Sequence, residues 1–207
     1  MPPISGLTPG GARDLLWEFA YSEIASVSRH GDFWRKQLNP PLSERLHLGQ
    51  RDRLTQEDWV TLKRVLLQVR GTYVAGLLEF PLRWSRGTLP WEELGEVKLI
   101  RLDAFRALAP SLSRAEFVVG LDDGRETPDD HVASRYRALR PRLDPVQMRG
   151  VPILVAESEA GPYNEVDGLT RMSILYSRLL RQEPIPASLG VLLGVSSRIR
   201  EWPFCSL

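Results

Sequence analysis

The chain has 207 residues, a formal net charge of +1, 43% hydrophobic and 26% charged residues, and one cysteine, Cys205. At roughly 150 residues per domain this is about 1.4 domains, and a chain of that length buries enough surface to fold without disulfides or a structural metal. The composition is that of an ordinary globular protein; it excludes a disulfide scaffold, a Cys-rich zinc site and a protein that coats polyanions through net charge. No stretch reaches the roughly 20 apolar residues that span a bilayer. The start, Met1-Pro2-Pro3-Ile4-Ser5-Gly6, lacks the pattern of a signal peptide, so a cytoplasmic location is expected.

Thr8-Pro9 reads as an N-cap followed by proline at the first helical position. A helix is predicted over residues 10–28, with Leu15, Leu16, Phe19, Ile24 and Val27 inward and Glu18, Ser22 and Arg29 outside. Asn39-Pro40-Pro41 breaks the chain. Thr55-Gln56-Glu57-Asp58 opens a second helix, with acids in its first turn to suit the dipole. The stripe Trp59, Leu62, Leu66, Val69, Tyr73, Leu77 continues it, and needs an apolar partner such as Phe19 and Leu15. Gly71 weakens the stripe and leaves a strand over 72–80 open; Pro81 ends either element. Residues 84–90 read as a loop and 96–102 as a short strand. Ser113-Arg114-Ala115-Glu116 is a capping-box pattern. An Asp/Gly-rich loop follows, and Asp129 or Asp130 caps a helix to about residue 139.

The last third is more legible. Residues 151–156 read as a buried strand, 157–162 as a polar turn and 163–167 as a second strand, together a hairpin. Gly168 breaks it, residues 170–181 form an amphipathic helix with Met172, Leu175, Tyr176 and Leu179 inward, and 189–195 is a third strand. The fold class is therefore α+β, with a helical N-terminal region over 1–90 and a mixed-sheet domain over 91–207.

Chemistry concentrates in Val166-Asp167-Gly168-Leu169-Thr170-Arg171. A glycine where a strand gives way to a helix turns the backbone and leaves the first helical N–H groups open to an anion. Thr170 adds a hydroxyl and Arg171 a planar fork suited to phosphate. Asp167 can hold a metal ion or accept a proton. The P-loop, dinucleotide-fold and nucleophile-elbow glycine signatures are absent from the sequence.

In the order and spacing of its elements, the stretch from Glu96 to Trp202 resembles the ParB/sulfiredoxin-like fold. The matching pieces are residues 97–102, Pro152-Ile153-Leu154-Val155, Val166-Asp167-Gly168-Leu169-Thr170-Arg171 and residues 186–195. The resemblance implies nucleotide-phosphate binding at the Gly-x-x-Arg turn, through Gly168 and Arg171, and assigns Asp167 to the aspartate of the free-serine kinases. It implies a nucleoside triphosphate and magnesium as cofactors, and phosphoryl transfer as an extension. The chain departs from the family's subgroups. Leu169 and Thr170 stand where sulfiredoxin carries its cysteine, Leu169-Thr170-Arg171 replaces the Glu-Arg-Arg of ParB, and Thr170 replaces the kinases' histidine.

Arg135, Arg137, Arg140, Arg142 and Arg149 cluster ahead of the 151–156 strand, opposed only by Asp144. They are the candidate nucleic-acid surface. Of the three histidines, His30, His47 and His131, the last lies nearest the turn and is a candidate acid–base group. Glu157, Glu159 and Glu165 are further carboxylates of the hairpin. Trp84 and Trp91 are candidates for docking a protein partner. Three functions are therefore carried forward: a phosphate- or nucleotide-binding protein, a nucleic-acid-associated protein, and a non-catalytic interaction module. On an exposed Arg171, Arg171→Ala is expected to weaken ligand binding with little effect on folding.

Overall fold

A computed structural model describes residues 4–26, 29–125, 130–143 and 149–207, without the side chains of residues 29, 30, 72, 130 and 131. Val27, the Arg29 side chain, the Asp129 cap, Asp144 and the His30 and His131 side chains lie outside this set. The protein is α+β, built on one five-stranded mixed sheet. The strands are β1 (Ser5–Pro9), β2 (Arg83–Leu89), β3 (Ile153–Ala156), β4 (Tyr163–Asp167) and β5 (Leu189–Val195), in spatial order β1-β2-β5-β3-β4. β3 and β5 run parallel; every other neighbouring pair is antiparallel. The helices are α1 (Ala12–Ile24), α2 (Arg29–Gln37), α3 (Pro40–His47), α4 (Gln56–Glu79), α5 (Asp103–Arg106), α6 (Arg114–Asp122), α7 (Asp130–Leu139) and α8 (Leu169–Leu180). None of the described helices is long and apolar enough to cross a membrane.

Successive residues of the central strands point to opposite faces, so the sheet carries two cores. Ile153, Val155 and Leu192 face a cluster built with α1 to α4, including Leu15, Phe19, Leu62, Leu66 and Leu77. Leu154, Ala156, Val191 and Leu193 face α8 through Met172 and Leu175. Beyond α8 a third cluster joins Leu99, Phe117, Tyr136 and Ile174, which carries α5 to α7. The sheet and the first cluster take residues from both sides of residue 90: β2 pairs with β5 along its whole length, and Trp84 packs with Leu192.

The expected hairpin, the 189–195 strand and the helix after Gly168 are all present. The stripe from Trp59 is helical and shares its core cluster with Leu15 and Phe19. Thr55 caps α4: its hydroxyl accepts from the Asp58 N–H at 3.2 Å, and the Asp58 carboxylate accepts from the Thr55 N–H at 2.8 Å. Gly71 settles the competition there by a break rather than a strand. Its φ of 58° and ψ of −145° interrupt the helix between two stretches.

Several sequence expectations are corrected. Thr8 and Pro9 do not start a helix; they pair with Arg86 and Ser85 in β1, an edge strand where proline's missing N–H is tolerated. Residues 84–90 are not a loop. Most of them form β2, hidden from sequence reading by Gly87 and by a partner strand about a hundred residues away. Gly194 faces Trp84 across that pair, and a Cβ there would lie 2.8 Å from the indole. Residues 96–102 are not a strand. The chain makes a 3-10 turn over Trp91–Glu96, then bridges to β4 at Lys98, whose N–H donates to the Tyr163 carbonyl and whose carbonyl accepts from the Glu165 N–H, at 2.8 Å each. Trp84 is buried in the sheet rather than presented in a loop. Glu18 is not outside: it is 2% exposed.

Two outcomes test this packing. Arg114 is fully buried against Glu165 and also donates to the Ser173 hydroxyl at 3.0 Å. Arg114→Ala leaves a buried carboxylate unpaired and should cost about 3–5 kcal/mol in urea unfolding; replacing Arg114 and Glu165 together by Met and Leu should cost less. Gly71→Ala, which would stabilise an ordinary helix interior, should destabilise here by about 1–3 kcal/mol because of the positive φ.

Candidate functional site

The site is built where β4 ends. Its residues from Tyr163 to Val166 are buried, and Asp167 is the first to reach partial exposure. Gly168 follows with φ 109° and ψ 7°, and a Cβ there would lie 3.0 Å from the Cβ of Pro152. Glycine is therefore required twice, by the left-handed backbone and by the close approach of Pro152, just before β3. α8 starts at once, with no side chain capping it. The first N–H to bond within the helix is that of Met172, to the Gly168 carbonyl at 2.9 Å. The N–H groups of Leu169, Thr170 and Arg171, and the Thr170 hydroxyl, have no partner among the described residues. They form the positive end of a twelve-residue helix.

The side chains around this turn form a chain of alternating charge. Arg171 NH1 donates to the Arg149 and Gly150 carbonyls at 2.6 and 2.9 Å, and its NH2 to Asp167 Oδ2 at 3.3 Å. Asp167 Oδ1 lies 3.4 Å from Arg70 NH2 on α4, which also pairs with Glu23 at the end of α1. The Asp167, Arg171 and Arg70 side chains are 13%, 16% and 18% exposed, so the cluster lies just below the surface. Burial pushes the Glu23 carboxyl up from its ordinary value, with Arg70 pulling the other way. Burial pushes the Tyr73 hydroxyl, beside Arg70, up to about 12, so it is neutral at pH 7.

Arg171 is thus placed at the turn as expected, but it is an internal clamp rather than an exposed fork. Asp167, expected as base or metal ligand, sits between the Arg70 and Arg171 guanidiniums, which occupy its oxygens and repel a cation. Among the described residues no group of three His, Cys, Asp or Glu side chains is placed to hold a metal.

The arginine cluster is dispersed. Arg135 donates to the Ser26 hydroxyl at 2.9 Å, and Arg149 to the His47 carbonyl at 3.0 Å while lying over the Tyr21 ring. Arg140 reaches Ser177 and Glu183, Arg142 is exposed, and Arg137 lines a cleft of about 400 Å³ with Tyr136, Arg140 and Arg181. That cleft lies where α6, α7 and α8 all end. Its arginines meet helix C-termini and the Asp122 carboxylate, a setting that favours cations over an incoming anion. Of the hairpin carboxylates, Glu157 pairs with Arg200, Glu159 with Arg83 and Glu165 with Arg114.

Glu23, Arg70 and Tyr73 escaped the sequence reading because their helices were read for apolar stripes. The available signal was that Arg70 and Gly71 interrupt the stripe between Val69 and Tyr73.

Because Arg171 holds two carbonyls and a carboxylate, Arg171→Ala should lower stability by about 1–3 kcal/mol, contrary to the expectation from an exposed side chain. Urea unfolding of the variant beside the wild type measures this.

In comparisons with known proteins, no family model, no curated protein and no solved structure matches the chain.

Proposed function

We propose that the protein binds a nucleotide or another phosphorylated small molecule at the Gly168 turn, in a ParB/sulfiredoxin-like arrangement of its C-terminal half. The observation that carries this is the helix start itself: three amides and a threonine hydroxyl without partners among the described residues, after a strand that gives way to a left-handed glycine. Such a terminus favours anions through both N–H donors and dipole. Support for the arrangement comes from the order β3, β4, α8, β5, in which β5 returns parallel to β3 and Asp167-Gly168-Leu169-Thr170-Arg171 spans the β4–α8 junction.

In this reading the backbone amides and Thr170 hold phosphate oxygens, and Arg171 fixes the segment before β3 against the turn. Magnesium, if the ligand is a triphosphate, arrives on the phosphates, since the carboxylates described at the turn, Asp167 and Glu23, are held by arginines. Phosphoryl transfer would follow only where Asp167 exchanges those partners. The dispersal of Arg135, Arg137, Arg140, Arg142 and Arg149 gives no single basic face, so no observation favours the nucleic-acid reading over this one.

A thermal-shift and calorimetric screen of nucleoside triphosphates, pyrophosphate and phosphate, with and without magnesium, tests the proposal. At a hundredfold excess over Kd, binding should add about 2.7 kcal/mol of stability, a rise of roughly 5–11 °C for a chain of this size. Amide resonances of Leu169 to Arg171 should move on titration. Absence of any response from a folded sample would overturn the reading. Steeply salt-dependent DNA or RNA binding in its place would turn the assignment to a nucleic-acid-associated protein.

A further inference from the structure

Arg70 reaches the turn from α4, an element that lies outside the ParB/sulfiredoxin-like stretch. Its NH2 is 3.4 Å from Asp167 Oδ1, on the residue immediately before Gly168. The same nitrogen pairs with Glu23. The pairing is incomplete on both sides: Arg70 Nε and Glu23 Oε2 are buried without a partner. Arg114 Nε and Glu165 Oε1 are left over in the same way, and so is Arg45 Nε; what sets Arg70 apart is its second partner, Asp167, at the turn. Buried polar atoms left over in this way call for an explanation.

The local charge supplies one. Glu23 and Asp167 are the carboxylates of the cluster; Arg70 and Arg171 face them, and Arg135 adds its charge toward Glu23. Tyr73 is neutral. Cations exceed anions by one, before the positive end of α8 is counted. Gly71 breaks α4 directly after Arg70, so the side chain stands at the end of a helical stretch rather than within one.

We propose that Arg70 is the anion-binding arginine of the Gly168 turn, held by Glu23 and Asp167 until a phosphate takes it over from them. The inference rests on the reading that phosphate binds at this turn, and it extends the site to α4. A polyphosphate is the ligand class it suits, because the α8 amides and Arg70 then serve different oxygens of one anion.

The test is calorimetry with inorganic pyrophosphate and with a magnesium-loaded nucleoside triphosphate, on wild type, Arg70→Lys and Glu23→Gln, with melting temperatures measured alongside. Lysine keeps the charge but loses the fork, and affinity should fall about tenfold, the equivalent of one charge-assisted bond. Glu23→Gln removes Arg70's competitor, and affinity should rise severalfold even if the melting temperature falls. A structural role alone would lower both melting temperatures and leave affinity unchanged, or lower it in both. Wild-type binding that Arg70→Lys leaves intact, or that Glu23→Gln weakens, overturns the role of Arg70 and spares the turn. A wild type that binds neither ligand overturns both. Should Arg70→Lys fail to fold, the direction of the Glu23→Gln change decides.

Discussion

The structure depends on the burial of three carboxylates along α1. Asp14, Glu18 and Glu23 are 6%, 2% and 3% exposed, on the same helix that presents Leu15, Phe19 and Ile24 to the core. Carboxylates taken out of water at this depth are costly unless cations and hydrogen bonds meet them. The protein meets them from separate parts of the chain. Arg51 and Arg86 converge on Asp14, Arg86 also holds Glu18, and Arg70 holds Glu23. The second oxygen of Glu18 accepts the Val151 N–H at 2.8 Å, just before β3. One helix thereby ties β2, α4 and the start of β3 to one another, and fixes how the helical layer lies on the sheet.

The far edge of the sheet repeats the device. β4 carries Glu165 and Asp167, and each is held by arginines from different layers. Arg114 of α6 reaches Glu165 from the α8 side of the sheet. Asp167 lies between Arg70 of α4 and Arg171 of α8. The turn at Gly168 is therefore gripped from both faces. A helix terminus held this rigidly is a preorganised set of donors, and it loses little freedom when an anion arrives.

This arrangement also changes what the functional side chains can do. Arg171 stabilises the turn by binding the Arg149 and Gly150 carbonyls, and so contributes to the site mostly through the geometry of the amides beside it. Asp167 spends its charge on two cations. The groups left open are backbone N–H donors and the Thr170 hydroxyl, which suit recognition of phosphate better than acid–base work.

The sequence by itself determined the elements whose causes are local. The Thr55 cap, the stripe from Trp59, the β3–β4 hairpin, Gly168 and the amphipathic face of α8 are each set within a few residues, by side-chain capping, periodicity or backbone conformation. On the site, that was enough to mark Gly168, Thr170 and Arg171. Tertiary structure alone decided the rest. β1 and β2 are strands because distant partners supply their hydrogen bonds, while 96–102, strand-like in composition, bridges to a strand at Lys98 and otherwise bonds to loops and helix ends. Glu18 and Glu23 look like solvent-facing helix residues until Arg86 and Arg70 arrive from 68 and 47 residues away, and Arg70 meets Asp167 across 97. A charge is stable in a protein interior only when its counter-charge is brought beside it, and nothing in the local pattern of either residue records that meeting.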